Sequence, residues 1–360
     1  MTKSSNTNAR NAVSVSIEHR YPWRWELSDL EKVEKNGLKV FSTFACGGGS
    51  SMGYKLAGYD VIGCCEIDQD MIALYRKNNH PKYSYLMDVR DFVKLEDLPE
   101  ELYDLDVLDG SPPCSVFSMA GKRERGWNTE KVFREGQSMQ RLDDLFFSYI
   151  EIAEKLKPKV CVAENVKGLI LNKARGYVNE IVKAFDAAGY SVQIFLLNSS
   201  RMGVPQNRER VFFIAQRKDL DPVKLKMSFN EAPILFGDVR SEHGIPAKED
   251  TAVGRLAKYI RPDDRSMDDV ARRVRRKNAY YTITIDHDEN VAHTITSSGN
   301  IFRSCDRCLV TDQDIISCQT FPVDYDFGKE KVQYVCGMSV PPVMMAHVAE
   351  AIRDQIFSKR

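Results

Sequence analysis

From Leu38 the chain alternates short apolar bursts with amphipathic stretches, a rhythm that predicts strands and helices in turn. Lys39-Val-Phe-Ser-Thr-Phe44, Val61-Ile-Gly-Cys-Cys-Glu66 and Asp104-Leu-Asp-Val-Leu-Asp109 read as strands. The spacing of Phe146, Phe147, Ile150, Ile152, Ala153 and Leu156 predicts a helix that stops at Lys157-Pro158, where proline disfavours its continuation. Val160-Cys-Val-Ala163, Gln193-Ile-Phe-Leu-Leu197 and Val211-Phe-Phe-Ile-Ala215 read as further strands. Strands alternating with helices predict an α/β fold with a doubly wound, mainly parallel sheet. After about Arg217 the rhythm fades into a charged, irregular stretch, and a final helix is expected from about Val343 to Phe357. Residues 1–35 are polar and read as a flexible arm with one short helix.

Composition narrows the class without naming a function. At 360 residues the chain is long enough for a real core and too long for one minimal domain. Formal net charge is +0, so any nucleic-acid-binding surface has to be local, as in the run Arg272-Arg273-Val-Arg275-Arg276-Lys277. The first residues lack an apolar signal-peptide core, and no apolar run reads as a membrane span, so a cytoplasmic protein without a membrane partner is expected. Nine cysteines, an odd number without a disulfide-framework spacing, suit a reducing compartment. Cys305-Asp-Arg-Cys308 offers two thiols, but a structural zinc normally takes two spaced pairs, and Cys318 and Cys336 are unpaired, so no metal is expected.

Four local signals carry chemistry. Phe44-Ala-Cys-Gly-Gly-Gly-Ser50 joins a strand to a helix, where glycines admit a ligand close to free backbone N–H groups. Glu66 ends the next strand, 18 residues after Gly48, and a carboxylate there can accept both hydroxyls of a ribose; a nicotinamide enzyme would use the same arrangement. Asp88 follows the third expected strand and is a candidate for an adenine amino group. Ser111-Pro-Pro-Cys114 then follows a strand directly, with two prolines stiffening the backbone before a thiol. A cysteine alone is more often a small core residue than a nucleophile.

Taken with the rest of the chain, these motifs resemble the cytosine-C5 DNA methyltransferase family, in family order over most of Leu38 to Ile352. The resemblance runs through Pro113-Cys114, Ala163-Glu164-Asn165-Val166, Gln206-Asn-Arg208-Glu-Arg210, Leu309 to Tyr325 and Gly337-Met-Ser339-Val340-Pro341. It implies the S-adenosylmethionine-dependent methyltransferase fold. A catalytic and cofactor-binding domain would span 36–217, a target-recognition domain 218–335, and a C-terminal segment, 336–360, would pack back on the first.

It also implies roles. Cys114 would add as a thiolate to C6 of cytosine, making C5 nucleophilic. Glu164 would supply a proton or hydrogen bond at N3, Arg210 would contact O2, and Arg208 would orient Glu164 or a phosphate. Phe44, Cys46, Gly48, Gly49, Glu66, Ile67, Asp88, Val89, Pro113, Leu145, Ser339 and Val340 would hold S-adenosylmethionine. The reaction needs the cytosine flipped out of duplex DNA. The stretch from Ser115 to about Gln140 would close over it, with Ser118, Lys122, Arg123 and Arg125 on DNA. Gln206 and the cluster Arg272, Arg273, Arg275 and Arg276 complete the expected DNA contacts. A monomer is expected, with a cognate restriction endonuclease as a candidate partner.

Three departures stand out: Ser42 where the family usually has Asp, Ser115 where Gln usually follows the cysteine, and Met338 where Asn usually follows Gly. An exocyclic-amine methyltransferase would place an aromatic ring after the two prolines, where this chain has Cys114.

Overall fold

The structure, a computed structural model, describes residues 19–113, 144–171, 175–276 and 280–358. Its strands and helices run β1 (Lys39–Thr43), α1 (Gly49–Leu56), β2 (Asp60–Glu66), α2 (Gln69–Asn79), β3 (Tyr83–Leu86), α3 (Val89–Phe92), β4 (Val107–Gly110), α4 (Leu145–Leu156) and β5 (Val160–Val166). There follow α5 (Arg175–Ala187), β6 (Tyr190–Asn198), β7 (Glu209–Arg217), α6 (Phe236–Val239), α7 (Gly254–Ala257), α8 (Met267–Arg275), β8 (Thr284–Asp286) and β9 (Ile301–Arg303). The chain closes with α9 (Asp312–Gln319), α10 (Val332–Met338) and α11 (Pro342–Ile352).

Seven strands form one sheet in the order β3-β2-β1-β4-β5-β7-β6. Every neighbouring pair is parallel except those made by β7, which runs against β5 and β6. The central strands are buried on both faces and read as continuous apolar runs for that reason. The chain reverses its lateral direction after β3, crossing to β4 on the other side of β1. Ligands collect at such a switch point, beyond the carboxyl ends of the strands. The helix expected to stop at Lys157 does so, with Lys157 in the left-handed region at φ 50°.

One core lies between the sheet and α1 with α11, the other between the sheet and α3, α4 and α5. A separate small core gathers Leu256, Ile260, Met267, Val270, Ile285 and Phe302 around α7, α8 and the two-stranded β8–β9 sheet. Ile315, Phe321, Tyr325 and Val335 instead join the first large core. The segment Val332–Phe357 is long and apolar enough to cross a membrane, contrary to the reading of the sequence. Its most apolar stretch is 78% buried inside the fold, where α11 packs against α1.

Candidate active site and cofactor pocket

The loop after β1 is shaped by backbone before side chains. Phe44 and Cys46 both adopt positive φ, 53° and 46°. Such conformations cost a non-glycine residue about 1 kcal/mol or more and cluster at functional sites. Gly48 turns the chain into α1 at φ 86°. Gly49 lets the far end of the chain approach, since a Cβ there would stand 2.5 Å from the Val340 carbonyl oxygen. Ser339 and Val340 are thus packed against the glycine loop.

In front of this loop lies a cavity lined by Phe44, Cys46, Glu66, Ile67, Asp88, Val89, Pro113 and Leu145, eight of the twelve residues expected to hold a cofactor. Gly48, Gly49, Ser339 and Val340 form its backing instead of its lining. Cys65, Asp68, Met71, Met87, Ser111, Tyr334 and Met338 complete the wall. Of these Asp68 carried a usable signal, an aspartate just before an amphipathic run; its side chain caps α2 by accepting from Asp70 N and Met71 N. Tyr334 and Met338 come from α10, and nothing local in sequence announces that.

Glu66 is held by three backbone N–H groups: Ile67 and Asp68 donate to Oε1 at 2.8 and 2.9 Å, and Cys46 donates to Oε2 at 2.7 Å. Burial pushes its carboxyl up, and those N–H groups oppose the rise. Asp88 caps α3 and is gripped by Arg90, whose Nη2 lies 2.7 Å from Oδ2. Burial works against its charge, but the Arg90 hydrogen bonds win and hold it below the usual value. The donor set fits S-adenosylmethionine: apolar walls from Phe44, Ile67, Val89 and Leu145 for a base, Glu66 with acceptor capacity left on Oε2 for a ribose hydroxyl, and several carboxylates for a cationic tail.

Beside this pocket, Asn165 donates from Nδ2 to the Pro112 carbonyl oxygen at 2.9 Å, fixing the backbone that leads to Cys114. Its neighbour Glu164 is buried and paired with Arg210, Nε to Oε1 2.9 Å. Cys114 itself, with Ser118, Lys122, Arg123 and Arg125, lies outside the described residues.

Two expectations change. Arg208 is 2% exposed and donates to the carbonyl oxygens of Ile295, Gly337 and Ser339 at 2.8 to 2.9 Å. Among the described residues it hydrogen-bonds no carboxylate, and its hydrogen bonds tie the last segments of the chain together. Gln206, expected on DNA, is fully buried; it donates to the Cys318 carbonyl oxygen and Gln319 Oε1 and accepts from Ile295 N. Within the basic cluster, Arg272 pairs with Asp268, and Arg273 with Asp264. Arg275 and Arg276 have no carboxylate partner among the described residues. The capping box of Ser266 and Asp269 shows this cluster to be the end of a helix, α8.

A family model described as C-5 cytosine-specific DNA methylase matches residues 38–354. The Neisseria gonorrhoeae type II methyltransferase M.NgoPII is 37% identical over 199 residues, covering 54% of this chain and 51% of its own. The Fusobacterium nucleatum type II methyltransferase M.FnuDI is 38% identical over 184 residues, covering 51% and 48%. The chain thus spans about half the length of the curated relatives it matches. Among solved structures, a Spodoptera frugiperda DNMT2 variant superposes with a TM-score of 0.60 at 16% identity, over 88% of this chain and 99% of its own, a likeness of fold.

Proposed function

Since this chain belongs to the C-5 cytosine-specific DNA methylase family, we propose that it methylates C5 of a cytosine within a specific duplex DNA sequence. The observation that carries the reading is a convergence. The strand end leading to Cys114 is fastened to Asn165, and the residue just before Asn165, Glu164, forms a buried ion pair with Arg210 beside a pocket suited to S-adenosylmethionine.

In this reading the target cytosine is flipped out of the duplex. The Cys114 thiolate adds to C6, forming a carbon–sulfur bond. Glu164 gives a proton or hydrogen bond at N3, and Arg210 contacts O2 and stabilises the charge that develops on the ring. Bound S-adenosylmethionine supplies an electrophilic methyl group to C5. Loss of the C5 proton and rupture of the carbon–sulfur bond then free Cys114. The separate small core within 218–335 presents the target-recognition surface, with Arg275 and Arg276, which pair with no carboxylate among the described residues, as its candidate phosphate contacts.

The test is covalent capture on duplex DNA carrying 5-fluorocytosine at the target, where fluorine cannot leave as a proton does. An adduct stable to denaturation is expected for the native chain with S-adenosylmethionine, and none for Cys114→Ser. An active enzyme that gives no adduct would refute attack at C6.

A further inference from the structure

Asp109 is 1% exposed on β4, in register with Ser42 of β1. The Ser42 hydroxyl donates to its Oδ2 at 2.7 Å, and the Ser50 hydroxyl, in the first turn of α1, donates to Oδ1 at 3.1 Å. The Tyr54 hydroxyl, on the next turn of α1, faces the same carboxylate without completing a hydrogen bond. No lysine, arginine or histidine pairs with Asp109 among the described residues. The other ionisable groups that feel its charge are Glu164 on β5, Tyr75 on α2 and Tyr149 on α4.

Burying a carboxylate without a cation costs several kcal/mol before hydrogen bonds offset it. A neutral side chain could tie two strands together more cheaply, so a purely structural tie does not account for the charge. The location does. Two residues beyond Ser42 is Phe44, two beyond Asp109 is Ser111, and Ser50 follows Gly49: all three segments reach the cofactor pocket or its backing. Position 42 is also where the family's first motif usually carries Asp. In this chain the carboxylate stands one strand over, on the register partner.

We propose that Asp109 is a positioning residue for the cofactor site: one buried carboxylate clamps β1, β4 and the start of α1, and so sets the walls of the pocket against each other. The proposal rests on the reading of that pocket as a site for S-adenosylmethionine. Loss of the charge loosens the clamp, because hydrogen bonds to a neutral carboxyl are weaker than those to a carboxylate and the protonated oxygen must turn its O–H toward one of the hydroxyls that now donate to it. Burial pushes its carboxyl up to about 7, with the Ser42 and Ser50 hydroxyls opposing the rise. The clamp is therefore fully charged only above neutral pH.

The experiment is calorimetric binding of S-adenosylmethionine and S-adenosylhomocysteine to the full chain, from about pH 6 to about pH 8.5, with thermal melting to report folding. Four proteins are compared: native, Asp109→Asn, Ser42→Ala, and the exchange Ser42→Asp with Asp109→Ser. Native affinity should fall as pH drops through about 7, and Asp109→Asn should bind about tenfold more weakly and lose that part of the pH step. Ser42→Ala, which removes a donor to the carboxylate, should move the step to higher pH. The exchanged pair, with the carboxylate back on β1, should recover affinity to within about threefold of native at high pH. In turnover, Asp109→Asn should raise KM for the cofactor more than it lowers kcat.

Native-like affinity and pH dependence in folded Asp109→Asn would overturn the proposal, as would a folded exchanged pair that binds no better than Asp109→Asn. Should Asp109→Asn not fold, a flat native pH profile, or one that Ser42→Ala leaves in place, overturns it equally. A native chain that binds neither compound would instead bring down the cofactor reading and the proposal with it.

Discussion

Arg210 Nε lies 2.9 Å from Glu164 Oε1 because β5 and β7 place them there: Arg210 is in register with Val166, which makes Glu164 its diagonal neighbour on the same face. Both side chains are largely buried. Breaking such a pair leaves an uncompensated charge, so Arg210→Ala should lower kcat by about a hundredfold or more while cofactor affinity changes little. Single-turnover methylation beside calorimetric cofactor binding checks the split, and equal losses in both would assign Arg210 to the pocket instead.

Glu66 concentrates three backbone N–H groups on one carboxylate. Glu66→Gln turns an amide N–H toward at least one of those donors and removes the charge. Hydrogen bonds to charged groups contribute about 1.5 to 3 kcal/mol, which predicts cofactor binding weakened about ten- to a hundredfold. DNA binding, measured by fluorescence anisotropy, should be preserved.

Arg208 is a stability residue in this structure. Arg208→Met would leave the Ile295 and Gly337 carbonyl oxygens without this donor and the Ser339 oxygen with Gln319 alone, at a cost of about 2 to 4 kcal/mol. Urea unfolding should show the midpoint fall at constant slope. Since one of those carbonyls belongs to Ser339, behind the glycine loop, the cofactor KM should rise as well.

The arginines of α8 should separate into two kinds. Arg275→Ala and Arg276→Ala should each weaken DNA binding and reduce the salt slope by about one, the signature of a lost phosphate contact. Arg273→Ala should chiefly lower stability, because Arg273 is occupied by Asp264 and the Tyr259 carbonyl. A salt slope unchanged in all three would remove α8 from the DNA surface.

Much of the main sheet was legible because its strands are short apolar runs set off by glycine, proline and charge, and the Lys157-Pro158 stop announced itself. What was not legible depends on distant partners. Gln206 and Arg208 look like surface polar residues in a loop-and-strand motif, yet the return of Ile295, Gln319 and Ser339 buries them. Tyr334 and Met338 reach the cofactor cavity only through the packing that brings α10 beside the glycine loop. The motif containing Asn165 was visible, but its grip on Pro112 required the parallel register of β4 and β5. The membrane-like apolarity of Val332–Phe357 misleads in the opposite sense, since helices buried on most sides and helices in lipid share a composition.

The approach of Val340 to Gly49 has a consequence for how this protein is made. One wall of the candidate cofactor pocket, at Phe44 and Glu66, leaves the ribosome about 270 to 290 residues before the other, at Tyr334 and Met338. Until then the glycine loop meets water where it will meet Ser339 and Val340. A growing chain therefore has only one side of this cavity until α10 and α11 have been made and dock beside α1, so the cavity is completed by parts of the chain far apart in sequence.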